Sequence, residues 1–469
     1  MIAPTRRELL QRLACGFGGM ALAGLLAEEA MGDAPSADPL APKRPHFPAK
    51  AKRVIFLFMH GGVSHVDTFD PKPRLAELNG KPLPIAKPRF EFGGTGNLLA
   101  SPWKFQKHGT CGTEISELFP LIGAMADDLC VIRSMNGGNE VSHGPAGLRL
   151  NTGDGVFNRP SLGAWTLYGL GTENHDLPGF VSLSPSLYHG GAQCYGSAFL
   201  PASYQGTRVG DGTTPFGNAS LANTTPADDL DLQRLQLDLL AKSNRDHLAH
   251  AGADARLEAR IATFELAFRM QASAPKVFDL AAESPSTRAL YGIGEEPTDE
   301  YGRQCLIARR MVEAGVRFVQ VNHSYPRNYW DAHGDLKKNH STNAKKVDRP
   351  VAGLLRDLKA RGLLDETLVI FGTEFGRTPA SQGGTDGRDH HPHAFSMWMA
   401  GGGIQGGMTH GTTDEFGYYV AENKVTIPDF HATILHLLGL DHTKLTFRHA
   451  GRDFRLTDVH GEVVKGVIA

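Results

Sequence analysis

Glu374 and Arg377 close the apolar stretch Val369-Ile-Phe-Gly-Thr-Glu-Phe-Gly-Arg-Thr-Pro379, and Gly387-Arg-Asp-His-His-Pro-His393 follows within one loop's reach. Two other runs of strand length end the same way. Val54-Ile-Phe-Leu-Phe58 leads into His60-Gly61-Gly62, and Val316-Arg-Phe-Val-Gln-Val321 leads into Asn322 and His323, with Asp331 and His333 close behind. Imidazole and carboxylate together suit a borderline or hard divalent ion, and hydrolysis on such an ion needs about three protein ligands and an open position. His60, Asp331, His333, Glu374 and His390 supply that set if the fold brings the strand ends together. His65, Asp67, Asp70, His323, Asp389, His391 and His393 form a second tier, able to orient those ligands or to bind themselves.

Each residue also has a plainer role open to it. A single histidine after a strand is commonly a satisfied loop residue, and Glu374 has Arg377 and Arg388 as salt-bridge partners. Asp67 and Asp70 flank Thr68 just before Pro71 and fit a turn or cap equally well. Their clustering on three strand ends favours one polar pocket, because ligands of open α/β sheets sit outside the carboxyl ends of the strands. The His60-Gly61-Gly62 turn matches neither a phosphate-cradling loop nor a dinucleotide fingerprint, which disfavours a nucleotide enzyme.

The elements that must position these groups alternate between strand and helix from Arg53 onward. Helical spacing runs over residues 118–128, 161–170, 301–314, 351–361 and 427–438; strands are expected at 129–133, 316–321, 367–371 and 395–400. Such alternation implies a mainly parallel sheet covered on both faces. Residues 151–160 and most of 189–226, rich in Gly, Ser, Thr and Asn, read as long loops over the pocket. Residues 228–290 carry leucines, alanines and charges at helical spacing and read as an inserted helical layer or lid.

The bulk numbers narrow the classes. A chain of 469 residues, 41% hydrophobic and 21% charged, can bury a substantial core, and a net charge of -2 gives no field that would draw nucleic acid. Thr5-Arg-Arg-Glu-Leu-Leu10 precedes a short apolar stretch and resembles a twin-arginine export signal over residues 1–33, so a periplasmic or extracellular location is expected. Residues 34–52 then read as a linker, and no other segment is a candidate membrane span. Cys15 would leave with the signal. Cys111, Cys130, Cys194 and Cys305 permit disulfides in an oxidising compartment, or stay as buried free thiols.

Met59-His-Gly-Gly-Val-Ser-His-Val-Asp-Thr-Phe-Asp-Pro-Lys-Pro73, Tyr329-Trp-Asp-Ala-His-Gly-Asp335, Thr373-Glu-Phe-Gly-Arg-Thr-Pro379 and Gly387-Arg-Asp-His390 resemble the domain of unknown function 1501 family, exported bacterial proteins related to sulfatases and alkaline phosphatases. The resemblance covers nearly everything after the signal. It implies an alkaline-phosphatase-like three-layer sandwich over residues 53–469 and a two-metal ester-hydrolase ancestry. Asp331 and His333 resemble the Asp and His that hold one metal, Glu374 the next aspartate, and His390 the last histidine ligand. His60 stands where the first metal-binding aspartate is expected, and Phe375 where a histidine is expected. Counting back from Thr152-Gly153 to the sulfatase nucleophile lands on His143, so a phosphorylated histidine or general base is one expectation and Ser142 another.

The expected function is an exported, metal-dependent hydrolase of phosphate or sulfate esters, acting on a small-molecule or polysaccharide ester. A divalent ion (Zn, Ca, Mg or Mn, one rather than two) would polarise the ester, with Arg377 or Arg388 holding the anion. The alternative is a non-catalytic binding or surface-assembly protein that kept the fold and lost the site.

Overall fold

The computed structural model describes residues 38–86, 94–218, 229–251 and 255–469. The export signal expected over residues 1–33 lies outside the described residues. At its centre is a nine-stranded sheet. Its strands run in the order Met408–His410, Leu129–Asn136, Phe395–Ala400, Thr367–Gly372, Arg53–Met59, Phe318–His323, Phe180–Leu183 and Thr207–Val209, with Val425–Thr426 also on Leu129–Asn136. Phe395–Ala400 runs antiparallel to both its neighbours; the other pairings are parallel.

The first strand shows why the sheet is covered twice. Side chains alternate across a strand, and this one is apolar at every position after Arg53. Ile55, Leu57 and Met59 pack into a core shared with the helices Asp299–Glu313 and Leu336–Ala360. Val54, Phe56 and Phe58 pack into the opposite core with the helices Leu162–Leu170 and Ile427–Leu437. Each such side chain contributes about 1.5–3 kcal/mol on burial. The expected three-layer α/β sandwich is the arrangement observed.

Several expectations shift in detail. The helix expected over 351–361 begins much earlier and spans Leu336–Ala360 with Pro350 inside it. The stretch expected as one helix over 118–128 is a short helix, Pro120–Gly123, followed by the 3-10 turn Ala126–Asp128. The insertion consists of the helices Leu230–Ala251 and Ala255–Phe278 followed by shorter turns. Met270, Ala274 and Val277 join the core beside the Asp299–Glu313 helix, which makes it an added layer. Residues 38–52, expected as a linker, are laid against the body. Lys50 and Ala51 donate backbone N–H groups to Leu437 O, and Lys43 Nζ reaches Tyr168 O at 2.8 Å. Cys111, Cys130, Cys194 and Cys305 are all free. Among the described residues, no helix is long and apolar enough to cross a membrane.

Candidate active site and metal centre

Parallel strands place their carboxyl ends at one pole, and six segments meet there. His60 follows Arg53–Met59, and Glu374 follows Thr367–Gly372. Asp331 and His333 come after Phe318–His323, His143 after Leu129–Asn136, and His189 after Phe180–Leu183. His390 reaches the same pole because the strand after it, Phe395–Ala400, is the antiparallel one. Close backbone approach depends on Gly61 (φ 118°), where a Cβ would stand 2.5 Å from Trp330 N and 2.6 Å from Asp331 N. The expected loop between Arg377 and His390 is a hairpin of the strands Gly376–Gln382 and Arg388–His391, with Arg377 directly opposite His390.

His143 opens the helix His143–Thr152 and lies between two groups of donors. On one side its Nδ1 is 2.7 Å from Glu374 Oε1, which is 3.9 Å from His60 Nε2. On the other its Nε2 is 3.6 Å from Asp331 Oδ2 and has no hydrogen-bond partner, although buried. His390 Nε2 is 3.2 Å and His333 Nε2 3.0 Å from Asp331 Oδ1. Ligating atoms of His60, His143 and Glu374 lie within 4.8 Å of one another, as do those of His143, Asp331 and His390, and those of His333, Asp389 and His390. His60 and Glu374 are buried, whereas the side chains of Asp331 and His333 are 20% and 33% exposed. The second side is the open one.

Hydrogen bonds fix which ring nitrogens carry protons. His390 Nδ1 faces the carbonyl oxygen of Val141 at 2.6 Å, and His333 Nδ1 faces Gln382 Oε1. The His390 Nδ1–H therefore points away from Asp331, and the neutral ring turns its Nε2 toward that carboxylate. Burial, reinforced by Arg377, lowers His390 to about 3 and keeps the ring neutral. Burial also lowers His60 to about 4 against the pull of Glu374. Burial would raise Glu374, but the hydrogen bond from His143 and the charges of His60 and His143 bring it down to about 2. Asp331 is likewise lowered, burial being outweighed by its histidine partners and Arg377. Asp389 is raised by burial, and its Oδ2 is buried without a partner.

A family model described as "Protein of unknown function (DUF1501)" matches residues 51–468. The chain belongs to the DUF1501 family. No curated protein matches it. Solved structures similar to this DUF1501 chain include the lipoteichoic acid synthase LtaP from Listeria monocytogenes, at 9% identity and a TM-score of 0.38, covering 90% of this chain and 79% of that one. Another is the PsFucS1 sulfatase from Pseudoalteromonas sp., at 13% identity and a TM-score of 0.35, covering 83% and 68%. A third is the alkaline phosphatase from the Antarctic bacterium TAB5, at 9% identity and a TM-score of 0.32, covering 84% and 99%.

Two expected site residues of this DUF1501 member have other work. Arg388 is fully buried, pairs with Asp67 at 2.7 Å and 3.1 Å, and donates to Thr378 O and Leu99 O. Arg377 is equally buried and donates to Gly61 O, Gly62 O, Arg388 O and Asp331 Oδ1. Both guanidiniums are engaged by these partners, and Arg377 also holds Asp331 in place. Asp67 is accounted for by Arg388, and Asp70 by Lys72 at 3.0 Å and by Thr413. His65 meets Gly417 O and His391 meets Tyr418 O, both away from the cluster. His323 accepts from Trp330 Nε1 within the core. His393 lies beside His391 and Tyr419. Ser142 is the N-cap of the helix that His143 opens.

Sequence reasoning missed His189 and Tyr329. His189 Nδ1 is 3.2 Å from His60 Nε2, and Tyr329 packs edge-on against His60 with ring centroids 5.1 Å apart. A signal for His189 was present: His189-Gly190-Gly191 repeats the His60-Gly61-Gly62 motif, here separated by five residues from its strand's end at Leu183.

Proposed function

We propose that the protein is an exported, metal-dependent hydrolase of phosphate or sulfate esters, with its reacting centre on the open side of the cluster. The supporting observation is the convergence of His390 Nε2 and His333 Nε2 on Asp331 Oδ1, at 3.2 Å and 3.0 Å. Two imidazoles with a carboxylate are a common divalent-ion donor set. Asp331, His333 and His390 would hold that ion, with Asp389 behind them. A divalent ion there supplies Lewis-acid polarisation of the ester and stabilises developing negative charge.

The chain's own residues do the positioning. Val141 O fixes the tautomer of His390, Gln382 orients the His333 ring, and Arg377 holds Asp331 in place. The partly exposed His333 and Asp331 leave room for an ester to approach. Tyr188, Tyr325 and Tyr329 form an aromatic rim suited to the organic part of the substrate. A non-catalytic binding protein is the second reading, favoured by the burial of both arginines. Metal analysis of the purified protein with nitrophenyl phosphate and nitrophenyl sulfate as substrates tests the choice. Bound metal with turnover supports the hydrolase, and metal-free, inactive protein rejects it.

A further inference from the structure

We infer that two adjoining cavities by the carboxyl end of the His143–Thr152 helix bind an acidic oligosaccharide, the remote part of a polyanionic polysaccharide substrate. The inference rests on the ester-hydrolase reading and names its substrate class. The first cavity, of about 270 Å³, has Arg149, Arg159 and Arg455 in its wall. The second, of about 660 Å³, presents Asn158, Gln193 and Gln205 beside the Phe199 and Phe447 rings. Phe199 borders both cavities, and Asn158 of the second lies between Phe157 and Arg159 of the first.

The first cavity holds more cationic donors than its own carboxylates use. A guanidinium carries five N–H groups. Glu140 takes Nη1 of Arg149 at 2.7 Å, and Asp154 takes Nε of Arg159 at 3.3 Å. Asp154 also accepts from Val156 N and Phe157 N, and Asp458 is paired with Arg452. Arg149 Nε is buried without a partner, and Arg455 donates only its Nε–H, to the Asp458 carbonyl. The terminal Nη groups of Arg159 and Arg455 make no hydrogen bond to the described residues, which suits capture of a carboxylate or sulfate group. The second cavity has complementary chemistry. Its three amide side chains are exposed and make no hydrogen bond to the described residues, leaving their donors and acceptors for sugar hydroxyls. The two phenylalanine rings offer apolar faces to the C–H surface of a sugar.

Short stretches of chain tie both cavities to the cluster. Glu140 immediately precedes Val141, whose carbonyl holds His390. Gln193 adjoins Cys194 on the turn Gly191–Tyr195, and Cys194 shares a small cavity with His60 and His189. The ten-residue helix between His143 and the first cavity is about 15 Å long. A small ester does not reach across that length, whereas consecutive sugars do. Binding energy gathered on such remote units is then available to position the reacting ester.

The test is titration calorimetry of the full chain with two acidic hexasaccharides, a heparin fragment for sulfate and hexagalacturonate for carboxylate. Maltohexaose and inorganic sulfate are the controls. At least one acidic hexasaccharide should bind, with both controls much weaker. Arg455→Ala should weaken that binding about 10–100-fold, as loss of hydrogen bonds to a charged group does. Should that variant not fold, Asn158→Ala and Gln193→Ala, at exposed positions, should each weaken it about 2–10-fold. No binding of either acidic hexasaccharide, or binding that these substitutions leave unchanged, overturns the site. Maltohexaose bound equally well rejects the anionic ligand, and inorganic sulfate bound equally well rejects the polysaccharide. Turnover of nitrophenyl esters without acidic-saccharide binding would sink the site and leave the hydrolase standing. Saccharide binding lost in Arg455→Ala, in a protein without turnover, would do the reverse.

Discussion

The two flanks of His143 use the same chemistry under opposite conditions of access. On one flank His60 and Glu374 are sealed beneath the strand ends, while on the other Asp331 and His333 reach solvent. Imidazole and carboxylate alone therefore do not distinguish the two flanks; exposure does. A sealed donor set holds structure together, and an exposed one leaves space for a substrate.

The largest effect that would break this contrast is on turnover. Asp331→Asn should cut ester hydrolysis by about 10³-fold, since it removes several kcal/mol of charge stabilisation from the open flank. Glu374→Gln should chiefly lower the melting temperature. Equal losses of activity in both variants would erase the distinction. Next in size, Arg388→Ala leaves the buried Asp67 carboxylate unpaired and should cost about 3–5 kcal/mol in denaturant unfolding.

The same pair carries a pH dependence. Burial would raise the Asp67 carboxyl, but Arg388 and the hydrogen bond from Ser64 hold it below its ordinary value. A carboxyl depressed in the folded state contributes stability above its unfolded pKa of about 3.9, and that stability is lost as pH falls below it. Unfolding measured from pH 6 down to 2 should therefore fall less steeply for Asp67→Asn than for the unsubstituted chain. Arg377→Lys should weaken metal affinity on the open flank about 10–100-fold, as loss of an orienting partner does. The smallest effect is expected of Tyr188→Ala. It should raise KM modestly and leave stability within about 0.5 kcal/mol, as exposed positions generally do.

Strand ends were the legible part of the site. Apolar runs stopping at His60 and Glu374, with His323 and Asp331 following a third, were sufficient to place one pole, because a parallel sheet forces its carboxyl ends together. What a sequence does not carry is the direction of a side chain. Arg377 and Arg388 had the right type and neighbourhood for anion binding, and both prove to be buried, engaged by backbone carbonyls, Asp67 and Asp331. His323 lies on a strand end as expected, yet faces the core. The first half of the Leu336–Ala360 helix was hidden by its polar composition, Lys337-Lys-Asn-His-Ser-Thr-Asn343, and by Pro350, which usually marks a boundary. His189 was overlooked because its strand, Phe180–Leu183, is only four residues long and gives little periodicity.

The strap at residues 38–52 has a practical consequence. Its backbone is pinned to Leu437 and Gly439 just before the first strand starts, at the pole where the central strands begin. One seven-residue strand separates that point from His60, a distance of about 23 Å at the usual rise. A tag or surface tether fused ahead of the strap would be attached at the opposite pole of the central sheet from His60, leaving the candidate site turned outward.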